Sequence, residues 1–215
     1  MTLTAEWEEM KRMISGTQFN EKLKNEINNI TEIEFVPQID SAAKESARGR
    51  ASIDIIVYDL SLNQDKSVLG WIKGGETKLY ISGDGAILAN EDCSSMFEYC
   101  YNVKSFKFNN LLDVSQTKNM SSMFAEVQAT SLTGNENWNT SSVEDMSYIF
   151  YHSYYLNGSI NVMNPNVNLS SFVASAFDLS SEGFFINYTK DTKSIVEDEL
   201  ARDISHTWAQ LGREL

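Results

Sequence analysis

Histidine is the side chain that most often moves protons near neutral pH, and this chain has two, His152 and His206. Neither stands in a metal or triad motif. His206 falls in a polar C-terminal segment and reads as a solvated histidine, whereas His152 stands inside "YIFYHSYY", Tyr148 to Tyr155. Cys93 and Cys100 are the only cysteines. They are too few for a disulfide framework and lack the partner ligands of a zinc site. The acids of "NED", Asn90 to Asp92, and "VED", Val143 to Asp145, occupy equivalent places but lack the ligand density of a calcium loop, so they read as solvated acids at a bend. "GGE" and "GDG" read as hairpin turns, not phosphate cradles, because no helix start follows with a Lys or Ser/Thr in position. The expectation is therefore a protein that is not an enzyme, with no catalytic residue, no metal and no cofactor.

The chemistry left to assign is binding. Tyr148, Tyr151, His152, Tyr154 and Tyr155 crowd one short run, and Tyr99 and Tyr101 stand at nearly the same place one unit earlier. A tyrosine held on a rigid scaffold brings contact area and a hydroxyl at small entropy cost. Two readings stand: these rings roof a thin core that has few leucines, or they form a contact patch.

The elements that must hold these residues follow from periodicity. Thr4 can cap a first helix carrying Trp7, Met10 and Ile14 on one face, with Gly16 placed to stop it. Phe19, Leu23 and Ile27 predict a second helix. From Thr31 the period changes to two, and "EIEFV" predicts a strand with one wet face. The segment from Ser41 to Ala51 reads as a loop or short helix, and the basic-leaning "KESARGR" within it as solvated. "IDIIVYDL", "SVLGWI" and "KLYIS" predict further strands, separated by turn-forming residues.

A phrase then recurs: "DCSSMF", "NMSSMF", "DMSYIF" and a worn "FVASAF" end at Phe97, Phe124, Phe150 and Phe177, in steps of 27, 26 and 27. A fixed period in this range marks stacked repeats, in which one unit cannot bury its apolar face alone. Each "MSSMF" reads as a short helical turn with Met and Phe inward. Cys100 then fills the core slot of Val127 and Ser153, and Cys93 that of Met120 and Met146.

"LDVSQTKNMSSMF", "WNTSSVEDMSYIF" and "ANEDCSSMF" resemble the repeat of the BspA-like leucine-rich-repeat surface proteins of bacteria. "SVLGWIKGGETKLYISGDGAILANED" is similar to the entry region of such proteins, and "INYTKDTKSIVEDEL" to their strand-and-helix exit cap. The resemblance implies an α/β fold: a short leucine-rich-repeat-like solenoid of three to four coils, with an N-terminal α/β cap and a C-terminal strand-helix cap. It also implies adhesion or protein binding at a cell surface or in secreted form. Members of the family also occur among phage and mobile-element genes, so a virion component in host contact is the alternative. The sequence departs from the pattern in its degenerate coils and in lacking a leader or anchor.

The expected divisions are a helical segment over 1–30, a β-rich cap over 31–85, coils over 86–180 and a C-terminal cap helix over 181–215, the helix itself running from Asp191 to about Trp208. Hydrophobic content of 42% places the chain among ordered globular proteins. A net charge of −13 repels phosphate backbones, so no nucleic acid is expected as partner. No segment approaches the ~18 apolar residues of a membrane span. The expected partner is a protein or a glycan, with a homo-oligomer through residues 1–30 as a further possibility.

Overall fold

The computed structural model describes residues 11–50, 54–173, 183–202 and 209–215. Its largest sheet contains an antiparallel meander. Strands β2 (Ile55–Asp59), β3 (Leu69–Lys73) and β4 (Lys78–Ser82) run antiparallel, and β1 (Glu32–Phe35) then pairs parallel to β4, Ile33 opposite Leu79. The alternation in "EIEF" is realised as expected: Ile33 and Phe35 are buried, while Glu32 and Glu34 face the opposite side. There Lys78 pairs with both carboxylates and Lys107 lies 3.1 Å from Glu32. Helix α2 (Ser41–Ala47) is capped by Asp40 and packs Ala43 in a small cluster with Ile39, Leu69 and Trp71.

The sheet continues into the repeats. Strand β6 (Ser105–Lys107) pairs parallel to β1, and β8 (Ser131–Thr133) pairs parallel to β6, giving the order β2-β3-β4-β1-β6-β8. The short strands β5 (Ile87–Leu88) and β7 (Leu112–Asp113) form a two-stranded sheet. Strands β9 (Gly158–Val162), β10 (Phe184–Tyr188) and β11 (Ala209–Glu214) form a three-stranded parallel one, with helix α3 (Lys193–Arg202) between β10 and β11. Gly158, at φ +146°, lets its backbone approach β8; a Cβ there would stand 2.5 Å from the Leu132 carbonyl oxygen.

This arrangement corrects the expected leucine-rich-repeat-like solenoid framed by separate caps. Among the described residues the fold is mixed α/β, with six-, three- and two-stranded sheets and few helices. The physical reason lies in strand length. β6 and β8 are three residues each, too short to form a sheet by themselves, and they extend the sheet that contains the β2-β3-β4 meander instead of starting a separate body. Among the described residues the larger apolar core accordingly runs from Met13 to Val196.

The "MSSMF" segments are not helical turns. Ser95, Ser122, Tyr148 and Ser171 have φ near +55°, which breaks any helix at the middle of the phrase. Backbone amides alternate instead between two partners. Those of Met120, Ser122, Phe124 and Glu126 donate to the carbonyls of Asp145, Ser147, Ile149 and Tyr151 in the next unit, while those of Met123 and Ala125 close turns on Met120 and Ser122. The same alternation joins Cys93, Ser95, Phe97 and Tyr99 to Asn119, Ser121, Met123 and Ala125. Every amide is thus paired, which is what a buried turn requires. Side chains follow the register: Phe97 stacks on Phe124 at 5.3 Å, and Phe124 on Phe150 at 5.7 Å.

The fourth copy of the phrase is displaced from the alignment on Phe177, which itself lies outside the described residues. Asp145 bridges Asn168, and the Phe150 amide donates to the Phe172 carbonyl, so "NLSSFV" takes the place and Val173 sits in the phenylalanine slot. The bend residue sets this register. Asp92, Asn119, Asp145 and Asn168 each accept, through a side-chain oxygen, the amide two residues on.

Residues 11–15 are extended, with Met13 bridging Ser61, and Gly16 starts helix α1 (Gly16–Leu23) instead of stopping a helix. Ser15 and Gln18 form a capping box there. The helix buries Phe19 and Leu23, and a 3-10 turn follows over Ile27–Asn29. The earlier part of the expected first helix, with Thr4, Trp7 and Met10, lies outside the described residues.

Candidate functional site

The turn ladder places residues 99, 126 and 152 one above another. The Tyr99 amide donates to Ala125, and the Glu126 amide to Tyr151, so each residue sits directly after its partner's carbonyl. All three have φ between +55° and +62°. Strands paired this way lie about 4.8 Å apart, so the column presents Tyr99, Glu126 and His152 on one edge at nearly fixed spacing. Cys100, Val127 and Ser153 follow them inward; both Cys100 and Val127 are buried, and the Ser153 hydroxyl donates to the Phe124 carbonyl at 2.5 Å.

The expected binding residues fall in two groups on this edge. Tyr99 and Tyr101 have ring centroids 5.8 Å apart, tilted by 41°, and are 51% and 44% exposed. In the next units, His152 stacks on Tyr151 at 3.9 Å and on Tyr154 at 5.8 Å. Tyr148 meets Tyr151 edge-on, and Tyr154 meets Tyr155. Tyr148, Tyr154 and Tyr155 are exposed, whereas Tyr151 and His152 are half-buried between their neighbours.

Glu126 links the two groups. Its Oε1 lies 3.0 Å from His152 Nδ1, and its charge reaches both Tyr99 and Tyr101. The Glu98 carboxylate, with smaller help from partial burial and from Glu126, pushes the Tyr99 phenol above its ordinary pKa. For Tyr101 partial burial is the larger cause, followed by Glu126. The Tyr99 shift marks a negative local potential. Glu98 and Glu126 were missed as part of this surface, although the equivalence of Cys100, Val127 and Ser153 already put Glu126 one step from its slot.

Other residues considered as chemistry serve the fold. Cys93 and Cys100 are buried free thiols; desolvation pushes Cys93 up to about 12 and Cys100 higher still. An asparagine series at 26-residue intervals, not noticed in the sequence, stitches the units together. Asn109 donates to the Phe35 carbonyl, Asn135 to Ser159, Asn161 to Trp138, and Asn187 to the Asn161 side-chain oxygen. Among the described residues no group of three or more His, Cys, Asp and Glu side chains could hold a metal ion. No helix among them is long and apolar enough to cross a membrane. His206 lies outside them.

No curated protein and no solved structure matches the chain. Residues 89–193, which include the whole turn ladder and both tyrosine groups, match the model of a BspA-like, repeat-related family described as Mycoplasma protein of unknown function, DUF285.

Proposed function

We propose that the chain is a non-catalytic recognition module that binds a macromolecular partner, a protein or a glycan, through the edge formed by Tyr99, Tyr101, Tyr148, Tyr151, His152, Tyr154 and Tyr155. One observation carries the reading. The left-handed positions 99, 148 and 152 hold Tyr, Tyr and His, with Glu at 126. An L-residue there costs about 1–2 kcal/mol, a cost that Gly avoids and Asn reduces. Large side chains at strained positions that point away from the core fit a role outside the fold. The backbone under them is fixed by the ladder, so the rings reach a partner with little ordering left to do. Adhesion to a cell surface is the biological setting that the BspA-like, "NMSSMF"-type repeat suggests for such a module.

The test is a glycan array and a panel of purified acidic, neutral and basic proteins, probed with the wild type and with a Tyr99→Asn, Tyr101→Ser, Tyr154→Ser variant. The expected result is a ligand whose affinity falls at least about tenfold in the variant, as loss of contact aromatics entails. Ligands that bind both proteins equally would move the function to another surface.

A further inference from the structure

Resting on that reading of the tyrosine edge, we propose that the partner is a protein segment presenting arginine or lysine, which stacks on the exposed faces of Tyr99 and Tyr101 and pairs with Glu98 and Glu126. Two exposed rings, their centroids 5.8 Å apart and tilted by 41°, pack on each other and leave their outer faces open. Glu98 precedes Tyr99 in the chain, and Glu126 stands in the neighbouring unit. Among the described residues no Lys or Arg forms an ion pair with either carboxylate; Glu126 meets His152, and Glu98 accepts from the Tyr99 phenol. His152 Nδ1 meets the Glu126 carboxylate through one contact at 3.0 Å, which leaves the other carboxylate oxygen open to a donor. The raised phenol pKa at Tyr99, driven first by Glu98, reports the same negative field.

A guanidinium suits this surface. It stacks on tyrosine faces, donates in-plane to a carboxylate and is drawn by a chain of net charge −13. A glycan fits less well. The His152 faces are covered by Tyr151 and Tyr154, the Tyr99 and Tyr101 rings are not coplanar, and sulfated or sialylated sugars meet like charge.

The experiment titrates the full chain, in 0.15 M salt, with an eight-residue peptide of alternating Arg and Gly and with its citrulline counterpart, which keeps shape and loses charge. The expected result is binding at least about tenfold tighter for the arginine peptide, reduced about tenfold or more by Tyr99→Asn with Tyr101→Ser and also by Glu126→Gln. The peptide comparison needs no variant, so it stands even if one fails to fold. Arginine binding that ignores all three substitutions reflects net charge alone and overturns the proposal. Failure of both peptides, with a glycan still bound through Tyr99 and Tyr101, overturns it and leaves the recognition reading standing. Failure of both peptides with no tyrosine-dependent ligand in the array or panel overturns both.

Discussion

Gly16 and Asp92 are joined at the open edge of the first turn unit: the Gly16 amide donates to the Asp92 carbonyl at 2.9 Å. The approach is so close that a Cβ on Gly16 would stand 2.2 Å from the Ser94 oxygen. Helix α1 thereby closes the ladder, with Asn20 adding bonds to the Ser95 and Glu98 carbonyls and Phe19 meeting Phe97 edge-on.

Gly16→Ala is therefore expected to destabilise by about 1–3 kcal/mol, the usual cost of overpacking, because backbone and not a flexible side chain must yield. Urea denaturation checks this. A change within 0.5 kcal/mol, as for surface sites, would show that α1 is not seated there.

Removal of residues 1–30 should do more, since it strips Phe19, Leu23 and Ile30 from the core and leaves the carbonyls of the first unit without donors. The truncated chain is expected to lose cooperative thermal unfolding. A sharp melt at the wild-type midpoint would contradict the capping role.

Burial makes the two thiols inert. With Cys93 pushed up to about 12 and Cys100 further, almost no thiolate exists at pH 8 in the folded chain. Labelling by a thiol reagent is expected only at the rate of unfolding, and promptly in denaturant. Fast labelling of the native protein, read by mass, would contradict the packing around both residues.

Asn161 holds three units together, donating to the Glu136 and Trp138 carbonyls while accepting from Asn187. Asn161→Ala leaves the buried Trp138 carbonyl and Asn187 amide without these partners and is expected to cost at least about 1–3 kcal/mol. Asn166→Ala, at an exposed turn, is the control and should change little. Equal effects in denaturation would mean that the asparagine series carries no stability.

Acid should weaken the large sheet through Glu32. Burial raises its pKa, but the hydrogen bonds and charges of Lys78 and Lys107 outweigh that and hold it below the usual 4.5. A depressed folded pKa contributes stability above the unfolded value and loses it as pH falls through the folded one. Stability is thus expected to drop more steeply below pH 4.5 in the wild type than in Glu32→Gln. Parallel pH curves would show that the carboxylate is not held by its lysines.

The strands were legible because alternation leaves little choice: "EIEF" cannot bury both of its faces. The asparagines escaped notice because a polar residue every 26 positions looks like loop composition until its bonds are seen. "NMSSMF" misled because Met120, Met123 and Phe124 suit one helix face as well as they suit successive turns. Only the positive φ at Ser122 separates the two, and serine does not announce it. Gly16 was read as a stop for the same reason, since a glycine needed for close approach looks like a glycine needed for a turn. β11 was missed because "AQLGRE" has no alternation of its own; its pairing with β10 makes it a strand. The tyrosines of the proposed binding edge were picked out by their crowding, while Glu126 needed the unit-to-unit register.

The central claim is that the left-handed aromatic positions serve a partner and not the core. The most direct measurement is the melting temperature of the Tyr99→Asn, Tyr148→Asn, His152→Asn triple variant. The account expects a midpoint equal to or above the wild type, because Asn accepts this backbone conformation at lower cost. A midpoint lower by more than about 4 °C, roughly 1 kcal/mol or more for a chain of this size, would show that these rings roof the core, and would contradict the account.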